Sequence, residues 1–166
     1  VVEGKDLFDT AYFIADGVVL HEAHKTLLPT YDVFDEYRYF EPGKNFDIVR
    51  YKGKKIALTI CEDIWNIGNE NPLYTICPMD HLMKHEPDVM INLSASPFTY
   101  QHAQERIDIL KANVERYQLP IFYINHIGAQ TELIFDGGSL VINDAGIIAD
   151  ELPYFEEAVK VYELEN

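Results

Sequence analysis

The sequence predicts an α/β layered fold, and three observations carry that expectation. Strand-like and helix-like segments are interleaved along the chain, the arrangement that packs helices against a sheet. Residues 88–93 and 120–124 are short, nearly continuous apolar runs, as expected of strands covered on both faces. Between them, Ala103, Ile107, Leu110, Val114 and Tyr117 recur at steps of four and three, one stripe along a helix. No repeat, low-complexity tract or Ser/Gly-rich linker divides the 166 residues, so residues 1–166 are expected to form part or all of one domain.

Each element has a local reason. Asp16-Gly17 supplies the positive φ angles of a tight turn, so residues 12–15 and 18–20 read as a hairpin. Residues 26–45, with Pro29, Asp32, Pro42 and Gly43, read as a long irregular loop, and loops of that length are usually functional. Residues 46–51 and 55–61 form a strand pair around Lys52-Gly53-Lys54. A helix is expected after Asn71-Pro72, running through Met83, followed by the strand 88–93, the helix through Tyr117 and the strand 120–124. Residues 139–142 and 147–149 flank the turn Asn143-Asp144-Ala145-Gly146 as a hairpin, and residues 158–164 alternate like a half-exposed strand.

Composition excludes several functions. Thirteen basic against twenty-eight acidic residues give a formal charge of −15, which argues against nucleic acid and acidic membrane as partners. No apolar run approaches the roughly 20 residues of a membrane helix. Two cysteines, Cys61 and Cys77, suit a reducing compartment, and a cytoplasmic location is expected. Pro42-Gly43-Lys44-Asn45 fails as a phosphate loop, because Arg38 stands at its first glycine position and Asn45 replaces the magnesium-holding hydroxyl. Neither GxGxxG nor GxSxG occurs. Cys77, His81 and His85 share a helical spacing, but Leu82 breaks the HExxH pattern and no metal site is expected. Asn92-Leu93-Ser94 matches a glycosylation acceptor but ends a buried-looking strand, so it is set aside.

One constellation points to chemistry. In Ile56-Ala57-Leu58-Thr59-Ile60-Cys61-Glu62-Asp63-Ile64-Trp65 an apolar strand ends in a cysteine followed by two carboxylates. A thiol at a strand terminus projects into the crevice above the sheet, where it could attack a carbonyl carbon and form a thioester. A buried cysteine with a purely structural role is the other reading. Glu62 and Asp63 oppose ionisation, so a reactive Cys61 needs a cation. Lys25, at the edge of the 26–45 loop, could stabilise both the thiolate and an oxyanion.

The segments from Lys25 to Gly43, from Ile60 to Trp65, from Asn92 to Phe98, and from Asn125 through Ser139 occur in order. Together they resemble the nitrilase (carbon–nitrogen hydrolase) superfamily and, more narrowly, the amino-terminal glutaminase domains of glutamine-dependent NAD synthetases. The resemblance implies a nitrilase-like α-β-β-α sandwich, incomplete because its N-terminal strands are missing, so that residues 1–166 form the central and C-terminal part of one such domain. It implies L-glutamine amide hydrolysis with Cys61 as nucleophile, and Lys25 and the Glu62 backbone N–H holding the oxyanion. Glu36 would orient Lys25, while Tyr31, Trp65 and Ser96 would line the glutamine site. Ammonia would pass to a C-terminal synthetase domain that binds ATP and deamido-NAD; no cofactor is expected in this domain. A homo-oligomer is implied.

Two departures qualify the resemblance. The family's general-base glutamate belongs to a segment well ahead of the lysine, and neither Glu3 nor Glu22 stands in a matching context. That segment is expected upstream of Val1, and the 166 residues alone are expected to be inactive. Six residues after Ser96, where a Lys or Arg would hold the substrate carboxylate, stands His102, and Arg106 is the nearest alternative cation. Two other readings remain open: a free-standing nitrilase-type amidase acting on another small amide, and a non-catalytic binding or assembly module of the same fold.

Overall fold

The computed structural model describes residues 1–3 and 6–164. The chain begins with a short pair, β1 (Val2–Glu3) and β2 (Asp6–Leu7), which the sequence did not announce. The expected hairpin follows as β3 (Thr10–Ala15) and β4 (Val18–His24), turning at Asp16 and Gly17 with φ of 50° and 75°. Residues 26–45 form the expected irregular loop, relieved only by a single 3-10 turn at Glu36–Arg38. Then come β5 (Val49–Tyr51), β6 (Lys54–Ile60), α1 (Pro78–Leu82), β7 (Val89–Ser94), α2 (His102–Tyr117) and β8 (Ile121–Asn125). A hairpin of β9 (Ile127–Gln130) and β10 (Leu133–Asp136) leads to β11 (Leu140–Ile142) and β12 (Ile148–Glu151).

Six strands make one mixed sheet in the order β12-β11-β8-β7-β6-β5. Its centre, β6-β7-β8, is parallel, and the flanking strands β5, β11 and β12 are antiparallel to their neighbours. The parallel strands are buried on both sides, as their apolar runs require. Ala57, Met90, Ile121 and Tyr123 face one layer with Leu110, Val114 and Tyr117 of α2 and Met79 and Leu82 of α1. Ile56, Leu58, Ile60 and Val89 face the other, against Ala11, Phe13 and Ala23 of the β3–β4 hairpin. The described residues therefore supply an α-β-β order of layers, the incomplete sandwich the sequence implied. Tyr12, Ile14, Val18 and Val19, towards the turn of the hairpin, are exposed.

Two expected elements are corrected. The helix expected from residue 72 starts only at Pro78, after a 3-10 turn at Ile67–Asn69 and an irregular stretch, and ends in a second 3-10 turn at Met83–His85. Proline has no N–H to donate and its ring would strike the carbonyl four residues back, so no helix can run through position 78; Pro78 can only open one. Residues 158–164 are not a strand. Lys160 and Tyr162 instead bond the Asp150 carboxylate (2.7 and 2.8 Å), and Tyr162 packs edge-on to Phe122. Among the described residues, no helix is long and apolar enough to cross a membrane.

Candidate active site

The site lies at the carboxyl ends of the three parallel strands, where loops from adjacent strands converge. The chain leaves β6 at Ile60 and enters a 3-10 turn, Cys61–Ile64. Cys61 sits in the left-handed region with φ of 45°, an uncommon conformation for a residue with a Cβ and one that the surroundings must impose. They do so with buried polar bonds. Asp63 accepts the backbone N–H groups of Thr26 and Leu27 (2.9 Å each) on one oxygen and that of Ile60 (3.1 Å) on the other. Asn92 of β7 donates its side-chain amide to Thr59 (3.0 Å) and towards the Cys61 carbonyl (3.4 Å). From α2, Asn113 donates to the Ile64 carbonyl (2.9 Å).

Lys25 directly follows β4 and is 2% exposed. Gly43 approaches this strand end closely: its N–H donates to the Lys25 carbonyl (2.8 Å), and a Cβ at Gly43 would lie 2.5 Å from the His24 carbonyl oxygen. The Lys25 ammonium donates to both oxygens of Glu36 (2.6 and 2.7 Å), so Glu36 stands where it was expected. Burial opposes the charge on Lys25, but Cys61 and Glu36 together raise its pKa, and Lys25 is an ammonium. The Cys61 thiol is pushed up by burial, while Lys25 and the Ala95 N–H pull the other way. Cys61 and Lys25 are thus near enough for each to bias the other's protonation.

Cys61 opens on a cavity of ~200 Å³ whose walls include Tyr31, Glu62, Trp65, Ser96 and His102. The four residues expected to bind substrate, Tyr31, Trp65, Ser96 and His102, are gathered there with Glu62, whose backbone N–H was expected at the oxyanion. Glu62 is buried and accepts the hydroxyls of Tyr31 (2.9 and 3.0 Å) and Tyr74 (2.8 Å). The Tyr31 hydroxyl is pushed well up by burial and by Glu62, so it acts as a donor to that carboxylate. Trp65 and His102 have their rings 5.6 Å apart. Ser96 is positioned by its N–H, which donates to the Asn125 side chain at the end of β8 (2.9 Å). Asn125 in turn donates to the Gly137 carbonyl (2.8 Å).

Arg106 is corrected as an alternative anchor for a substrate carboxylate. It forks onto Asp136 of β10 (2.8 and 2.6 Å), both residues are 1% exposed, and its donors face the interior. The supporting roles of Asp63, Asn92, Asn125 and Tyr74 were not read from the sequence. Asn92-Leu93-Ser94 is no glycan acceptor in the folded chain, since Asn92 is fully buried. Cys77 meets the Tyr117 hydroxyl (3.2 Å) and His81 stacks on Phe46, so neither turns towards the other.

A model of the carbon-nitrogen hydrolase family matches residues 2–165. The chain belongs to the carbon-nitrogen hydrolase family. This hydrolase chain is 38% identical to the glutamine-dependent NAD(+) synthetase of Synechocystis sp. over 166 residues, spanning 98% of this chain and 30% of that protein. It is 35% identical over 161 residues to the protein of the same description from Thermotoga maritima, covering 97% of this chain and 27% of that one. Among solved structures, a glutamine-dependent NAD+ synthetase from Acinetobacter baumannii in complex with ADP superposes with a TM-score of 0.84 at 36% identity, covering 95% of this chain and 28% of that chain. A nitrilase-superfamily amidase from Nesterenkonia, at 23% identity and a TM-score of 0.65, covers 82% of this chain and 47% of that one and shares the fold. The hydrolase chain therefore spans about 30% of the curated relatives it matches.

Proposed function

We propose that this carbon-nitrogen hydrolase chain is the glutamine-hydrolysing part of a glutamine-dependent NAD synthetase. The observation that carries the reading is a strand-end thiol, Cys61, that opens on a cavity of amino-acid size and lies within electrostatic reach of a buried ammonium, Lys25.

The geometry supports the following course. The glutamine side-chain amide lies against Cys61, with its carbonyl oxygen towards Lys25 and the backbone N–H of Glu62. The thiol gives up its proton as sulfur attacks. Among the nearby carboxylates, Glu36 is held by Lys25 through both oxygens and Glu62 by two tyrosyl hydroxyls, so neither is free to take that proton. The base is the glutamate of the upstream segment that the family resemblance implies, and the 166 residues alone are inactive. Positive charge from Lys25 stabilises the tetrahedral oxyanion, a contribution of the kind worth ~10²–10³-fold per donor. Collapse of the intermediate breaks the C–N bond, the nitrogen takes the proton and leaves as ammonia, and a thioester remains. Water then attacks the thioester, releasing glutamate and restoring the thiol. Tyr31, Trp65, Ser96 and His102 shape the glutamine site. Ammonia passes to a C-terminal synthetase domain that uses ATP to amidate deamido-NAD, in a cytoplasmic homo-oligomer.

The test is NAD formation by the full-length protein with Cys61→Ala. Glutamine-dependent synthesis should vanish while synthesis from free ammonia persists. Unchanged glutamine-dependent synthesis would remove the reading.

A further inference from the structure

After β12 the chain runs back towards the cavity. The Leu152 N–H donates to the Ser139 carbonyl and the Phe155 N–H to the Asp136 carbonyl (2.8 Å each), and Tyr154 bridges to Gly137 between them. Tyr154 lies against Gly138, where a Cβ would come within 2.4 Å of its ring. Residues 152–155 are thereby fixed to the turn from Asp136 to Ser139.

The cavity wall Ser96-Pro97-Phe98 leans on this assembly at both ends. Asn125 donates to the Gly137 carbonyl and accepts the Ser96 N–H, which holds the first end. At the second, the Phe98 N–H donates to the Ile134 carbonyl (2.7 Å). The Phe98 ring, which lines the cavity, meets the Phe155 ring edge-on with centroids 5.7 Å apart. Its other ring neighbour, Tyr100, is 97% exposed and offers little support.

Phe155 has no local reason to be aromatic. Its φ of 61° is left-handed, which disfavours a bulky residue, and it is 56% exposed, so neither backbone preference nor core burial accounts for the ring. An outlier held by its surroundings points to a role.

Building on the glutaminase reading, we infer that Phe155 is a positioning residue for the substrate: it braces Phe98 from outside and sets how closely the Ser96–Phe98 wall fits glutamine. Cys61 and Lys25 are aligned separately, by Asp63, Asn92 and Asn113. The brace therefore acts on binding and leaves the chemical step alone.

The experiment measures ammonia release from L-glutamine by the full-length protein, with urea unfolding in parallel. Phe155→Asn suits it, because asparagine tolerates a left-handed backbone and removes the ring. KM should rise by ~10-fold, the scale of one edge-to-face aromatic contact. Turnover should stay within ~3-fold, and the unfolding midpoint should barely move. Phe155→Tyr should keep the wild-type KM. In a Phe98→Ala background Phe155→Asn should add nothing further, because the brace has lost what it supports. An unmoved KM, a kcat that falls as far as KM rises, or a Phe155→Asn protein that no longer folds would overturn the inference and leave the glutaminase reading standing. So would a raised KM in Phe155→Tyr, or additive effects of the Phe98 and Phe155 substitutions. If the folded wild-type protein releases no ammonia from glutamine in a Cys61-dependent way, both fall together.

Discussion

The Asp63 carboxylate accepts the backbone N–H of Thr26 at 2.9 Å, a bond spanning 37 residues of sequence. The same oxygen takes the Leu27 N–H, and the other takes that of Ile60. One buried side chain therefore clamps the segment that begins at Lys25 to the turn that carries Cys61. The placement of ammonium against sulfur is set through the backbone, and the side chains of Lys25 and Cys61 need little freedom of their own.

Replacing Asp63 with Asn puts an amide donor where only acceptors serve. At least one buried N–H then loses its partner, and a destabilisation of ~2–4 kcal/mol is expected. Urea unfolding of wild type and variant reads it directly, with the loss appearing in the midpoint. The turnover of the folded fraction should drop more than its KM rises, since alignment at the reacting atoms is what loosens.

The same residue gives a pH signature. Burial pushes the Asp63 carboxyl up to about 6, against the pull of its three N–H donors. In the unfolded chain it titrates near ~3.9. Between those values the folded protein keeps a proton that the unfolded chain has lost, so this group's contribution to stability is present below the window and lost as pH rises through it. The difference between the stability–pH curves of wild type and Asp63→Asn should fall across pH 4–6 and flatten above. A difference that rises with pH there contradicts the assignment.

Alkylation of Cys61 by iodoacetamide should report on Lys25. Burial holds the thiol above its ordinary range, and Lys25 is the group that most opposes this. The rate should still be climbing at pH 9 in the wild type, and Lys25→Met should slow it by ~10-fold, one pKa unit's worth of lost thiolate. A plateau reached below pH 8 would show a thiolate already formed.

The Arg106–Asp136 pair should behave as a buried unit. Breaking it with Arg106→Met strands a carboxylate in the interior, with an expected cost of ~3–5 kcal/mol. Removing both charges together, Arg106→Met with Asp136→Leu, should recover much of that, as a double-mutant cycle in chemical denaturation would show.

The parts of the fold that could be read in advance are those whose logic is local. The helix α2 announces itself by the spacing of Leu110, Val114 and Tyr117, and β7 and β8 by apolar runs that only a doubly covered strand can use. The β3–β4 turn follows from Asp16-Gly17 alone. Where local signals compete, reading fails. Asn71-Pro72 imitates a helix start, yet Pro78 forbids the helix it announces. The alternation of residues 158–164 is a strand pattern without a paired strand among the described residues, and pattern alone supplies no ladder. The site divides in the same way. Cys61, Lys25 and the residues around the cavity were legible because their motifs lie in short contiguous segments. Asp63 was read only as a charge unfavourable to a thiolate; its structural role depends on N–H groups that folding alone brings to it, and Arg106 lost its expected role to an Asp136 thirty residues away.

The left-handed backbone at Cys61 separates chemistry from architecture at that position. Serine or alanine, unbranched at Cβ, can inherit the conformation at little extra strain, so exchanging sulfur for oxygen or deleting it leaves the scaffold undisturbed. Threonine or valine would set a branched Cβ against the adjoining backbone and drag the surrounding loop with it. Knock-outs of the nucleophile are therefore interpretable only when drawn from the first group; loss of function in the second would report a collapsed corner and not a missing atom.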